Sequence, residues 1–304
     1  MSITHLLSIC DLSIDNVGNI VNLAAKLKIE RFNEKLQGKS VAMLFEKPSL
    51  RTKVSFDVGI QQMGGHPIYL GKDEVGLGGR EAVSDVARVL SRYVEAIVAR
   101  VFKHNTLEEL AMHATIPVIN ALSDSEHPCQ ALGDMLTIEE HIGLSNKPTI
   151  AFIGDGNNVA SSLALAATAL GSDFIIASPS GYELPKIVIE KANGRSSKGR
   201  VHQVELPQEA ITQAEVIYTD VWTSMGQENE SAKRDTDFKN YQINPQIMDL
   251  AKPGSIFMHP LPAHNGQEVS ADMLDDPRSV VFDQAENRLH AQKAIFLHLL
   301  EHST

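Results

Sequence analysis

The sequence predicts an α/β protein of two doubly wound domains, each a mainly parallel sheet flanked by helices. Three observations carry that expectation. Short apolar runs alternate with helical apolar spacing almost throughout, the pattern of parallel sheets covered on both faces. The 304 residues are long for one core and comfortable for two. A polar break at Ser145-Asn146-Lys147-Pro148 separates a long helical pattern from a new strand, giving expected domains of 1–145 and 146–304.

In chain order, the apolar runs place strands at 41–45, 67–70, 96–101, 118–121, 149–153, 174–177, 201–205, 215–219, 255–258 and 280–282. Helical spacing fills most gaps. After the first strand, Val54, Val58 and Met63 share a stripe with Phe56 beside it, predicting a helix over 54–63. Further helices are expected at 81–93, 107–113, 129–142, 160–170 and 246–251. Residues 193–199, Asn-Gly-Arg-Ser-Ser-Lys-Gly, read as an exposed loop. Leu289, Ile295, Phe296, Leu299 and Leu300 give a closing helix over about 285–304, expected to pack back on the first domain.

Composition narrows the function. An apolar fraction of 43% and a charged fraction of 21% are ordinary for a soluble globular protein. A net charge of -11 argues against a nucleic-acid partner but not against an anionic small molecule, for which Lys47, Arg51 and Lys53 offer a local basic pocket. Cys10 and Cys129 make neither a disulfide framework nor a zinc ligand set. Asp11, Asp15 and Lys26 interrupt any signal-peptide pattern, and no 18-residue apolar window occurs, so no membrane span and a cytoplasmic protein are expected.

The chemistry-bearing residues cluster after strands, where open α/β sheets bind ligands. The stretch 45–56, Phe-Glu-Lys-Pro-Ser-Leu-Arg-Thr-Lys-Val-Ser-Phe, is the most informative. Ser49, Arg51 and Thr52 sit where a strand gives way to a helix. Unpaired N–H groups, a guanidinium fork and two hydroxyls there would make a phosphate cradle with neither a Walker loop nor a Gly-x-Gly turn. The bland possibility is an ordinary Ser/Thr cap beside a solvated Arg. Arg100 ends the third strand, and His127-Pro128-Cys129-Gln130 opens a helix after the fourth. Asp220 to Gly226 and His259-Pro260-Leu261-Pro262 follow two later strands. Taken singly, His127 or Asp220 could be caps, Arg100 a surface charge, Trp222 a packing residue, and the prolines loop stiffeners.

Five motifs in order, FEKPSLRTKVSF, HPCQ, GDGNNV, DVWTSMG and HPLPAHNG, are similar to those of the aspartate/ornithine carbamoyltransferase family, on its ornithine branch. The likeness runs from Leu6 to the last helix. It implies a carbamoyl-phosphate domain, an ornithine domain, and a homo-oligomer, a trimer or multiple of trimers with sites at subunit interfaces. The implied substrates are carbamoyl phosphate and L-ornithine, with no cofactor and no metal. By the resemblance, Arg51, Thr52, Arg100 and His127 are the catalytic set. Ser49, Leu50, Arg51, Thr52, Gly76, Arg100, His127, Pro128, Cys129, Gln130, Pro260, Leu261 and Arg288 bind carbamoyl phosphate, and Asn158, Asp220, Ser224 and Met225 bind ornithine.

Four positions depart from the family pattern. Pro260 stands where a Cys is usual, Leu50 where a Thr is usual, and Asn265 where an Arg is usual. Gly76 stands where a Gln or His usually reaches a neighbouring subunit's site, so that contact is either missing or supplied by another residue, such as Arg80. The His-Pro-Leu-Pro form resembles the aspartate enzymes of the family, which makes aspartate the rival acceptor. A putrescine or acylated-ornithine acceptor fits the motifs less well, and the departures at Pro260 and Gly76 are also compatible with an inactive binding protein. The Ser-Met-Gly stretch and the absence of a Lys between Val75 and Ala82 favour ornithine.

Overall fold

The computed structural model describes residues 5–77, 79–196, 198–224 and 226–301. The chain divides into two compact units, Met1–Leu136 with Glu286–Thr304, and Thr137–Ala285. Residues 137–145 therefore group with the second unit and the terminal helical residues with the first.

In the first unit, α1 (Ile14–Ile29), capped by the Ser13 hydroxyl, leads to β1 (Ser40–Phe45) and α2 (Leu50–Gln62). Next come β2 (His66–Gly71), the short α3 (Lys72–Val75) and α4 (Val83–Leu90). Then follow β3 (Ala96–Arg100), α5 (His104–His113), β4 (Val118–Leu122) and α6 (Pro128–His141), which runs past the unit boundary. The sheet order is β2-β1-β3-β4, all parallel. Register aligns Phe45 with Gly71 on one side and Arg100 on the other, so these strand ends lie level. The β3–β4 register shifts between Ala99 and Arg100, a bulge of the kind that re-aims a side chain at a site.

The second unit contains β5 (Ile150–Ile153), α7 (Asn158–Ala169), β6 (Phe174–Ala177), α8 (Lys186–Arg195) and β7 (Val201–Val204). It continues through α9 (Pro207–Ile211), β8 (Val216–Thr219), α10 (Ser231–Asp237), α11 (Pro245–Met248) and β9 (Ile256–Met258). Its parallel sheet has the order β7-β6-β5-β8-β9. The winding reverses between β5 and β8, whose ends Ile153 and Thr219 are in register. This is the switch point at which such sheets bind ligands. The last helix, α12 (Val281–Glu301), returns its residues from 286 onward to the first unit, where Phe296 packs edge-on to Phe56 of α2 at 5.8 Å.

The sequence expectations need four corrections. Residues 280–282 form no strand: Val281 begins α12, and Arg278, Ser279 and Val280 meet the sheet through an isolated bridge at Phe257. An apolar triplet is too short to separate strand from helix by period. Helix α2 begins four residues early because Ser49 caps it. Its buried face is Phe56, Ile60 and Met63, while Leu50, Val54 and Val58 lie on the exposed side. Helix α8 extends to Arg195, into the expected loop, and α4 spans only part of 81–93.

Candidate active site

The first cluster is built on the level ends of β1 and β3. The Ser49 hydroxyl accepts from the Thr52 N–H at 3.3 Å, fixing the start of α2. The buried Thr52 Oγ1 accepts from two guanidinium groups, Arg288 Nη2 at 2.7 Å and Arg100 Nη1 at 3.5 Å. Close approach of α6 permits this: a Cβ on Gly133 would stand 3.2 Å from the Arg288 Cα. Arg51, half-buried one residue before Thr52, has a pKa lowered by burial. Arg100 is 5% exposed, and its Nε has no partner among the described residues. Burial, then the charges of Arg288 and Arg51, push its pKa down to about 10. Three guanidinium groups are thus gathered at the start of α2, with those of Arg288 and Arg51 close enough to be felt at Arg100.

His127 and Gln130 open α6 beside them. Burial, then Arg288 and Arg100, hold the His127 imidazole well below its ordinary range, so it is neutral at pH 7. Gln130 Nε2 donates to Asp134 at 2.8 Å, and its Oε1 has no partner among the described residues. Pro128 is buried. The Cys129 thiol turns away to donate to the Asn120 carbonyl at 3.3 Å, and burial pushes its pKa up to about 12, leaving only its main chain for the site. The Leu50 side chain is 75% exposed, so it too has only main chain to offer. Gly76 ends α3 at φ 60°, a left-handed conformation suited to glycine. It lines a cavity of about 360 Å³ with Phe45, Gly71, Lys72 and Arg80. Of the other two motif cations, Lys47 is buried with its ammonium 4.7 Å from the Phe102 ring centre, and Lys53 is exposed over Tyr69.

The second cluster follows β5, β8 and β9. Asn157 reaches Asp220: its Nδ2 donates to Asp220 Oδ2 at 2.8 Å, while its Oδ1 caps α7. Asn158 is half-buried as the first residue of α7. Asp220 also accepts from the Val221 N–H at 2.8 Å, and burial raises its pKa. Ser224 is half-buried and its N–H donates to Gln227. Met225 lies outside the described residues. Trp222 is a packing residue, stacked near Phe238 in the core.

Sequence reasoning missed the support beneath this cluster. The Leu261 N–H donates to His259 Nδ1 at 2.9 Å, and the other ring nitrogen, Nε2, faces Glu268 Oε1 at 3.2 Å. Leu261 sits at φ 55°, a left-handed conformation rare for a branched side chain and a mark of local strain. Pro260 beside it is buried. A buried His and Glu nine residues apart carry no spacing signal a sequence reading could use. Asn157, the first Asn of Gly-Asn-Asn, was recognisable as the better N-cap.

Two parallel-sheet units, one gathering guanidinium groups at its strand ends and the other a carboxylate at its switch point, mark an α/β enzyme that takes an anion and an ammonium-bearing ligand. Comparison with known proteins makes this specific. Residues 4–140 match the aspartate/ornithine carbamoyltransferase carbamoyl-P binding domain, and residues 146–299 match that family's Asp/Orn binding domain. The chain is 49% identical over 300 residues to the ornithine carbamoyltransferase of Archaeoglobus fulgidus, covering 97% of each. It is 49% identical to the anabolic ornithine carbamoyltransferase of Pyrococcus furiosus, covering 95% of this chain and 94% of that one. Among solved structures, an ornithine carbamoyltransferase from Pyrococcus furiosus aligns with a TM-score of 0.95 at 46% identity, covering 99% and 98% of the two chains. The anabolic enzyme from Campylobacter jejuni aligns with a TM-score of 0.94 at 37% identity, covering 97% and 98%. The chain belongs to the aspartate/ornithine carbamoyltransferase family.

Proposed function

We propose that this chain transfers the carbamoyl group of carbamoyl phosphate to the side-chain amine of L-ornithine, giving L-citrulline and phosphate, a step of arginine metabolism. The observation that carries the reading is the gathering of Arg51, Arg100 and Arg288 at the start of α2, where Arg100 and Arg288 both bond Thr52 and the charges of Arg288 and Arg51 add to burial in lowering the Arg100 pKa. Mutually repelling guanidinium groups lower the stability of the empty site, and a phosphate dianion offsets that repulsion.

In this reading the α2 N-terminus, Ser49, Arg51 and the Leu50 main chain bind the phosphate. Attack by the amine builds charge on the carbamoyl oxygen, which Arg100, neutral His127 and the Thr52 hydroxyl stabilise. The Gln130 Oε1 accepts from the carbamoyl NH₂. The Pro128 and Cys129 main chains complete the wall. The Leu261 carbonyl accepts from the attacking amine. Asp220 pairs with the α-ammonium, Asn158 donates to the α-carboxylate, and Ser224 borders the head group.

Ornithine is preferred to aspartate because an acidic side chain needs a free cation. Within the described Asp220 cluster the cation is Arg234, already bonded to Asp155 and Glu230. We include a homotrimer, or a multiple of trimers, in the reading. The exposed apolar stripe of Leu50, Val54 and Val58 on α2 supports contact between copies. A cytoplasmic setting agrees with two free cysteines. No described helix is long and apolar enough to cross a membrane. The test is citrulline formation from carbamoyl phosphate and ornithine, with aspartate run in parallel. Carbamoyl-aspartate as the main product, or no product with either acceptor, refutes the reading.

A further inference from the structure

Arg234 lies on α10, outside every residue assigned to the reaction above, and is 5% exposed. Its Nη1 donates to Asp155 Oδ2 at 2.6 Å and to the Trp222 carbonyl at 2.8 Å. Its Nε donates to Glu230 Oε2 at 3.1 Å. One guanidinium thus bonds the loop after β5, the loop after β8 and the segment leading into α10. The first two carry Asn157 and Asp220, whose own bond spans the same gap.

We propose that Arg234 is a positioning residue for the amino-acid acceptor, holding the two switch-point loops at the separation the head group needs and neutralising Asp155 so that Asp220 is the carboxylate left for the ammonium. This rests on the functional reading above. Two facts beyond the contact geometry support it. Asp155 and Asp220 interact as like charges, so an unneutralised Asp155 competes with Asp220 for the site's positive partner. The groups facing Asp220 are Asn157, the Val221 N–H, His259, Glu268 and Asp155, and those facing Asp155 are Arg234, Glu230 and Asp220. Arg234 is the only guanidinium in that set. It touches nothing assigned to carbamoyl phosphate, so its loss acts on one substrate.

The experiment compares parent, Arg234→Met, Arg234→Lys, Asp155→Asn and the Arg234→Met/Asp155→Asn double variant in steady-state citrulline formation, with folding checked by circular dichroism. Arg234→Met is expected to raise the ornithine KM about tenfold or more, the scale of a lost charged hydrogen bond, and to leave the carbamoyl-phosphate KM within about twofold. Its ornithine KM also gains a pH dependence as the orphaned Asp155 titrates, a change that loosened packing alone would not give. Arg234→Lys, which keeps the charge but not the fork, falls between. Asp155→Asn in the Arg234→Met background recovers part of the loss. A folded Arg234→Met or Arg234→Lys enzyme with the parent ornithine KM, or one equally impaired toward both substrates, overturns the proposal. If instead the parent itself makes no citrulline, the functional reading fails.

Discussion

The two units solve opposite electrostatic problems with one scaffold. Both are parallel sheets with their polar clusters at the strand ends. In the first unit Arg51 and Arg100 at the strand ends meet Arg288 of α12, and burial together with these charges lowers the pKa of Arg100 and of His127. In the second, the buried charges near the switch point sit against partners: Asp220 has Asn157, Asp155 has Arg234, and Glu268 faces His259. The sheet is therefore electrostatically indifferent, and the strand-end residues set the ligand's sign. A cluster of like charges binds its ligand by relief of repulsion. A partnered one selects by geometry and by a single carboxylate that Asn157 only partly stabilises.

That contrast can be broken most forcefully at Arg51. Arg51→Ala is expected to lower kcat/KM for carbamoyl phosphate by about 10²–10³, the usual cost of one lost charge-stabilising donor, while the fold stays intact. Near-parent kcat/KM in the folded variant would remove the cradle from the first unit. Next in size is Asp220→Asn, which keeps shape and loses charge. Its ornithine affinity is expected to fall about 10- to 100-fold, with carbamoyl phosphate unaffected. The same variant sharpens the comparison through stability. Burial raises the Asp220 pKa, so in the parent the ionised form opposes folding above that pKa and ceases to do so as pH falls below the ordinary carboxylate range. Asp220→Asn should therefore melt above the parent at neutral pH, with the gap closing in acid. Melting curves from acid to neutral pH read this directly, and a parallel offset at all pH values contradicts it.

A smaller effect separates the units by ligand. Inorganic phosphate at about 100 times its Kd should stabilise the parent by about 2.7 kcal/mol, and Arg51→Ala much less. Equal stabilisation of both proteins would mean the anion binds elsewhere. The smallest expected change is at Pro260, buried beside the left-handed Leu261. With no thiol there, and with an unperturbed amine of pKa about 10.4 needing to lose a proton before attack, parent activity should keep rising into the alkaline range. Pro260→Cys should raise kcat severalfold or move the plateau to lower pH. A pH–rate series in which the variant is unchanged or slower at every pH means that Leu261 and Asp220 suffice and that Pro260 only stiffens the loop.

The amino-acid sequence by itself determined most of the elements, though not all their bounds, and the anion motif. Strand and helix periods, the Ser49 cap and the adjacency of Arg51 and Thr52 are all local, and local preferences survive any arrangement of the rest. Only the tertiary structure decided what those elements face. Residues 236 apart meet where Arg288 bonds Thr52, and that bond depends on how α12 lies on α2 and α6. The same holds for the exposed Val54 and Val58 stripe, for Asn157 on Asp220, and for Arg234 and the His259–Glu268 pair. A helical period marks two possible faces, and adjacent residues of one motif do not announce which of them bonds a distant carboxylate. Which of them meets the site is settled by sheet register and packing, long-range constraints that no window of sequence contains.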